Sequence, residues 1–70
     1  MRAVRYFFHI LRNDSIFKDE VGQIFSAVED AKAQALVVAR ELAQDTGWEG
    51  FAVLIEDETG TEIARLPIVP

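Results

Sequence analysis

A surplus of apolar strand limits what this chain can fold into. Two segments, Ala3–Leu11 and Phe51–Glu56, are dense in the aromatic and branched side chains that favour β-strands. Period two sorts the first into Val4, Tyr6, Phe8 and Ile10 on one face, with Arg5, Phe7, His9 and Leu11 on the other. In the second, Phe51, Val53 and Ile55 alternate with Ala52, Leu54 and Glu56. Neither shows the clean apolar-in, polar-out alternation of a sheet packed on one side. Only one stretch carries helical periodicity, and one helix covers one sheet face. The chain is therefore expected to build more apolar strand surface than it can hide.

That helix is predicted over about Ala27 to Thr46. Val28, Ala31, Ala35, Val38 and Leu42 recur at spacings of three and four, with Ala39 beside them. Ser26 followed by Glu29 has the spacing of a capping box, Asp30 adds negative charge near the positive end of the helix dipole, and Gly47 is placed to end the helix in a left-handed conformation. Leu36 and Val37 fall off the stripe, as ordinary surface aliphatics or a partner contact. Before the helix, Arg12-Asn13-Asp14-Ser15 supplies turn chemistry and Ile16–Glu20 reads as a short second strand, while Val21-Gly22-Gln23 breaks the pattern. After it, Asp57-Glu58-Thr59-Gly60 reads as a type I turn with a left-handed glycine, and Thr61–Ile68 as a fourth strand, with Pro67 suited to an edge or a strand end. The expected fold is α+β, ββαββ: a single domain over residues 1–70 with a four-stranded antiparallel sheet and one helix packed on one face. Its strands are expected at about 3–11, 16–20, 51–56 and 61–68.

Seventy residues, half of them apolar, suit one small core, since a chain of this size buries about 60% of its extended surface. The absence of cysteine rules out disulfide and thiolate-metal staples, so packing must stabilise the domain, with association as a further aid. Twelve acids against seven scattered bases give a net charge of −5, the wrong sign for broad nucleic-acid binding; Arg2, Arg5 and Arg12 make a weak patch at best. No apolar run approaches the ~20 residues of a membrane span. No cleavage-site pattern follows Tyr6–Leu11, so no secretory signal is read and a cytoplasmic protein is expected.

Little in the chain resembles catalytic machinery. His9, the one histidine, sits mid-strand with no nucleophile or carboxylate marked beside it, and a structural or surface role is preferred. The acids gather near the turns, Asp14, Asp19 and Glu20 in one group and Glu56, Asp57, Glu58 and Glu62 in the other, without the spacing of a calcium loop. The hydroxyl residues lack a nucleophile-elbow context and the isolated glycines form no phosphate cradle. Trp48 is read as closing the end of the core in preference to anchoring a partner. No catalytic, cofactor or metal residue is assigned.

Arg5-Tyr6-Phe7-Phe8-His9 stands at the start, followed by Asp19-Glu20-x-Gly22 and the alanine-rich Ala31-x-x-x-Ala35-x-x-x-Ala39-Arg40-Glu41-Leu42. With Asp57-Glu58-x-Gly60 and Leu66-Pro67 at the end, the chain resembles a family of short bacterial proteins of uncharacterised function. The likeness covers nearly the whole chain, although Trp48 lies upstream of the aromatic position occupied here by Phe51. It implies a single hairpin–helix–hairpin domain and adds no catalytic residue.

The functional expectation is a non-enzymatic interaction or structural module that receives a protein partner or a second copy on its open sheet face. Arg5, Phe7, His9, Leu11, Leu54 and Ile63 are the candidate contact residues. The alternative is an antitoxin-like or regulatory protein whose acidic surface caps a basic protein partner; small antitoxins of the HicB type have a comparable hairpin-then-helix layout. Neither nucleic acid nor membrane is expected as a partner.

Overall fold

In the computed structural model, which describes residues 3–69, five strand segments and one helix form an α+β domain. The elements in order are β1 (Val4–Arg12), β2 (Ser15–Phe17), β3 (Gln23–Phe25), α1 (Val28–Leu42), a one-turn 3-10 helix (Thr46–Trp48), β4 (Ala52–Asp57) and β5 (Glu62–Pro67). Arg2 of the weak basic patch lies outside the described residues. The sheet is antiparallel in the order β2-β1-β4-β5, and β3 also pairs with β1. Among the described residues no helix is long and apolar enough to cross a membrane.

The fifth strand corrects the expected four. Ile10 pairs with Phe17 in β2 and Tyr6 with Gln23 in β3, so both lie along the same edge of β1. Between those pairs β1 spends three residues, Phe7 to His9, while the edge spends five, Lys18 to Gly22. The edge is in effect one strand interrupted by a bulge with two residues too many to lie flat. The second arm accordingly ends at Phe17 and not Glu20, and Gln23, expected within a break in the pattern, opens a further strand with Ile24 and Phe25.

One face of the sheet packs under α1. Ala31 and Ala35 are fully buried and Ala39 nearly so, and their small side chains let the helix backbone lie close to Val53 and Ile55, both at 0% exposure. Tyr6 and Phe8 complete this face from β1, each meeting the Phe25 ring at 6.1 Å. At the other end Trp48 stands edge-on to Phe51 at 5.2 Å and Ile68 closes the core, its N–H donating to the Phe51 carbonyl. Trp48 thus packs against the core end. Leu36 and Val37, off the stripe, are exposed.

The helix ends differ from expectation. Ala27, not Ser26, is the N-cap, with extended φ/ψ of −131°/140° and no side-chain cap bond; the chain stays extended one residue past Ser26, which puts the Ser-x-x-Glu spacing out of phase. Asp30 and Ala31 donate to the Ala27 carbonyl. The helix stops at Leu42, not Thr46, as the following amides tighten into shorter turns, Gln44 to Glu41 and Asp45 to Leu42. Gly47 lies in the 3-10 turn without positive φ; the left-handed glycines are Gly22, Gly50 and Gly60. The expected turn is present at Asp57–Gly60, where Gly60 has φ +85° and donates to the Asp57 carbonyl at 3.0 Å. Pro67 ends β5, at the sheet edge.

Candidate functional site

Arg5, Phe7, His9 and Leu11 share the face away from the helix with Ala52, Leu54 and Glu56, and β5 brings Arg65 opposite Leu54 and Glu62 opposite Glu56. Ile63 does not join them. A register irregularity at Ile55/Glu56 leaves Ile63 without a partner in the ladder, and its side chain packs against the helix-side core. Of the six expected contact residues, five therefore share the face. The centre of that face is not bare, because Leu54 is 6% and His9 7% exposed with no helix above them. Phe7 and Leu11 are half-buried and Arg5 is exposed.

The interrupted edge contributes to the cover of His9. His9 Nδ1 accepts the backbone N–H of Asp19 at 3.1 Å, which brings the Lys18–Gly22 segment over the open face. Phe8, whose amide points to this edge, donates to Asp19 Oδ2 at 3.2 Å, so a carboxylate replaces the missing strand partner. The other oxygen, Oδ1, accepts the amides of Val21 at 3.1 Å and Gly22 at 3.0 Å. Arg5 Nη1 fastens the far side by donating to the Val21 carbonyl at 2.7 Å. Gly22 makes the return at φ +72°, where a Cβ would stand 2.7 Å from the Tyr6 carbonyl oxygen, so both backbone angle and space demand glycine. Burial works to raise the Asp19 pKa; the amides of Gly22, Phe8 and Val21, with positive charge at His9, outweigh it and hold the carboxyl below its usual 3.8.

His9 is engaged at both nitrogens. Nδ1 accepts from Asp19, so the neutral ring carries its proton on Nε2, which reaches Glu56 Oε1 at 3.1 Å. The ring also stacks on Phe7 at 6.3 Å between centroids. These contacts flank an open depression of about 270 Å³ walled by Asp19, Glu56, Asp57 and Glu58, with Lys18 at its rim. Asp57 is held by the turn: the Thr59 hydroxyl bond lowers its pKa most, burial opposes this, and the Thr59 and Thr61 amides lower it further. Among the described residues no group of three or more His, Cys, Asp or Glu side chains is arranged to hold a metal ion.

The bare apolar surface lies at the broken edge. Ile16, Phe17, Val21 and Ile24 are 51%, 55%, 75% and 57% exposed. Ile16 pairs with Leu11 and Ile24 with Arg5, which places both on the open face; Phe17 pairs with Ile10 on the helix side and meets Trp48 edge-on at 5.9 Å. Among the described residues β2 and β3 have no strand neighbour other than β1, so their outer backbone groups face outward.

Sequence reasoning saw Asp19 as a solvated turn acid and Val21-Gly22 as a pattern break, and missed the bridge they make over His9. A mid-strand histidine between apolar neighbours was the available signal, since a buried imidazole needs two partners.

The family model described as "Domain of unknown function (DUF6894)" matches residues 5–69. No curated protein and no solved structure matches the chain.

Proposed function

As the chain belongs to the DUF6894 family, whose description names no activity, its surface must supply the reading, and we propose a non-enzymatic interaction module that takes an extended basic polypeptide along the β2/β3 edge. The observation carrying it is the run of Ile16, Phe17, Val21 and Ile24, each more than half exposed, along β2, β3 and the bulge between them, an edge that has no strand neighbour but β1 among the described residues. An added strand gains main-chain hydrogen bonds there and seats alternate apolar side chains on the open-face residues. Four carboxylates around the neighbouring depression and the net charge of −5 favour a basic partner and disfavour a second, equally acidic copy. No reaction is assigned to His9, whose ring nitrogens both serve structural bonds. The face centred on Leu54 offers less, being covered already.

The test is an NMR titration of the protein with a synthetic decapeptide alternating valine and lysine, beside its valine–glutamate counterpart. The lysine peptide is expected to shift the amides of Ser15–Phe17 and Gln23–Phe25, with an effect that fades as salt rises and is lost in the folded Ile24→Glu variant. Equal response to both peptides, or none at the edge, overturns the reading. So does a stable dimer by light scattering that Ile24→Glu dissolves, because a second copy would then occupy the edge.

A further inference from the structure

We propose that His9 is a protonation-sensitive latch on the Lys18–Gly22 segment, held closed by the neutral imidazole and released by the imidazolium. The segment is tied to the ring by one bond whose direction is fixed, because a backbone amide can only donate and Nδ1 must therefore accept from Asp19. A proton taken from solvent onto Nδ1 sets two donors against each other at 3.1 Å, and that bond cannot survive. The acceptor Asp19 itself offers in exchange is its carboxylate, already committed to Phe8, Val21 and Gly22. A new bond from Nδ1–H to that carboxylate draws it off these amides and loosens the turn on which Val21 stands. The Nε2 contact behaves in the opposite way, since Glu56 becomes an ion-pair partner and anchors the ring. The ring therefore holds still while the segment moves.

Charged groups around the ring come from every packed element on its face: Arg5 from β1, Lys18 and Asp19 from the segment, Glu56 from β4, Asp57 and Glu58 from the following turn, and Glu62 and Arg65 from β5. Acids outnumber bases among them, and the group that a proton on Nδ1 opposes is the Asp19 amide donor. The latch stands whether or not the edge receives a peptide.

The experiment follows the His9 ring nitrogens and the backbone amides of the intact protein together by NMR across pH. The neutral ring is expected to carry its proton on Nε2. As the ring takes up its second proton, the Asp19, Val21 and Gly22 amides are expected to shift with the same midpoint. Their protection, measured against the intrinsic rate at each pH, should then fall about tenfold, the value of roughly one net hydrogen bond. His9→Asn, whose side-chain oxygen can accept near the Nδ1 position without titrating, should abolish the response, and Glu56→Gln should move the ring and segment transitions together. Protonation without movement of these amides, a neutral ring protonated on Nδ1, or a response that persists in His9→Asn overturns the latch. So does a ring that takes up no proton while the fold lasts.

Discussion

Ile55 and Leu54 are neighbours in β4 that face opposite sides of the sheet, and both are buried, at 0% and 6% exposure. Ile55 lies under a helix whose buried alanines share one apolar cluster with it, so its cover is apolar. Leu54 sits opposite His9 and Arg65, and the His9 ring beside it is held by a hydrogen bond from the bulged segment and by Glu56. The first kind of closure resists everything except loss of packing. The second depends on charge state and on a few named donors, which makes it the side of the molecule that conditions can alter.

Substitution measures that contrast. Ile55→Ala is expected to cost about 2–5 kcal/mol by chemical denaturation, a large part of the stability of a chain this small. Leu54→Ala should fall near the lower end, about 2 kcal/mol, because no helix lies over its face and its side-chain neighbours His9 and Arg65 can settle into the gap more readily than a packed helix can. Equal costs at the two sites would mean that the open face is as rigid as the helix face, and the distinction would fail.

Gly22→Ala attacks the segment alone. Left-handed strain and the approach to the Tyr6 carbonyl together are expected to cost about 1–3 kcal/mol, with amide exchange faster over Lys18–Gly22 and unchanged in the α1 core. Asp19→Ala strands the Phe8, Val21 and Gly22 amides and is expected to cost about 1–2 kcal/mol, discounted for partial exposure. Because the folded pKa of Asp19 is lowered, its contribution is complete above the ordinary value of 3.8 and is lost as pH falls through the lower folded value. Acid unfolding monitored below about pH 4 should therefore flatten in Asp19→Ala more than in Asp57→Asn, whose exposed turn carboxyl has the same direction of shift.

Much of the helix side was legible, because period alone states it. Ala31, Ala35 and Ala39 sit at helical spacing, Tyr6 and Phe8 at strand spacing, and Asp57–Gly60 carries its own turn chemistry. The open side was not, because its determinants are paired across the chain. Nothing local to Asp19 says that its carboxylate will meet the Phe8 amide, and Gln23–Phe25 becomes a strand only after that bulge restores contact with β1. Ile63 went to the wrong face on paper because a one-residue irregularity inverts every assumption of alternation beyond it. Ser26 failed as a cap for a related reason: the preceding strand keeps the chain extended through Ala27.

The smallest expected effect is also the sharpest check on the edge. Ile24 and Phe25 are adjacent in β3, and Ile24 stands 57% exposed on the open face while Phe25 packs its ring against Tyr6 and Phe8. Threonine is β-branched, which suits a strand at either position, and it removes most of the apolar surface. Phe25→Thr should cost at least ~2 kcal/mol through the cavity it leaves. Ile24→Thr should change stability by less than about 0.5 kcal/mol, as for a surface side chain with no partner to lose. A cost at Ile24 approaching that at Phe25, measured by thermal denaturation at low protein concentration, would mean that its side chain is already packed within one chain. The edge would then have no spare apolar surface to offer a peptide, and the most exposed region of the molecule would belong with its core.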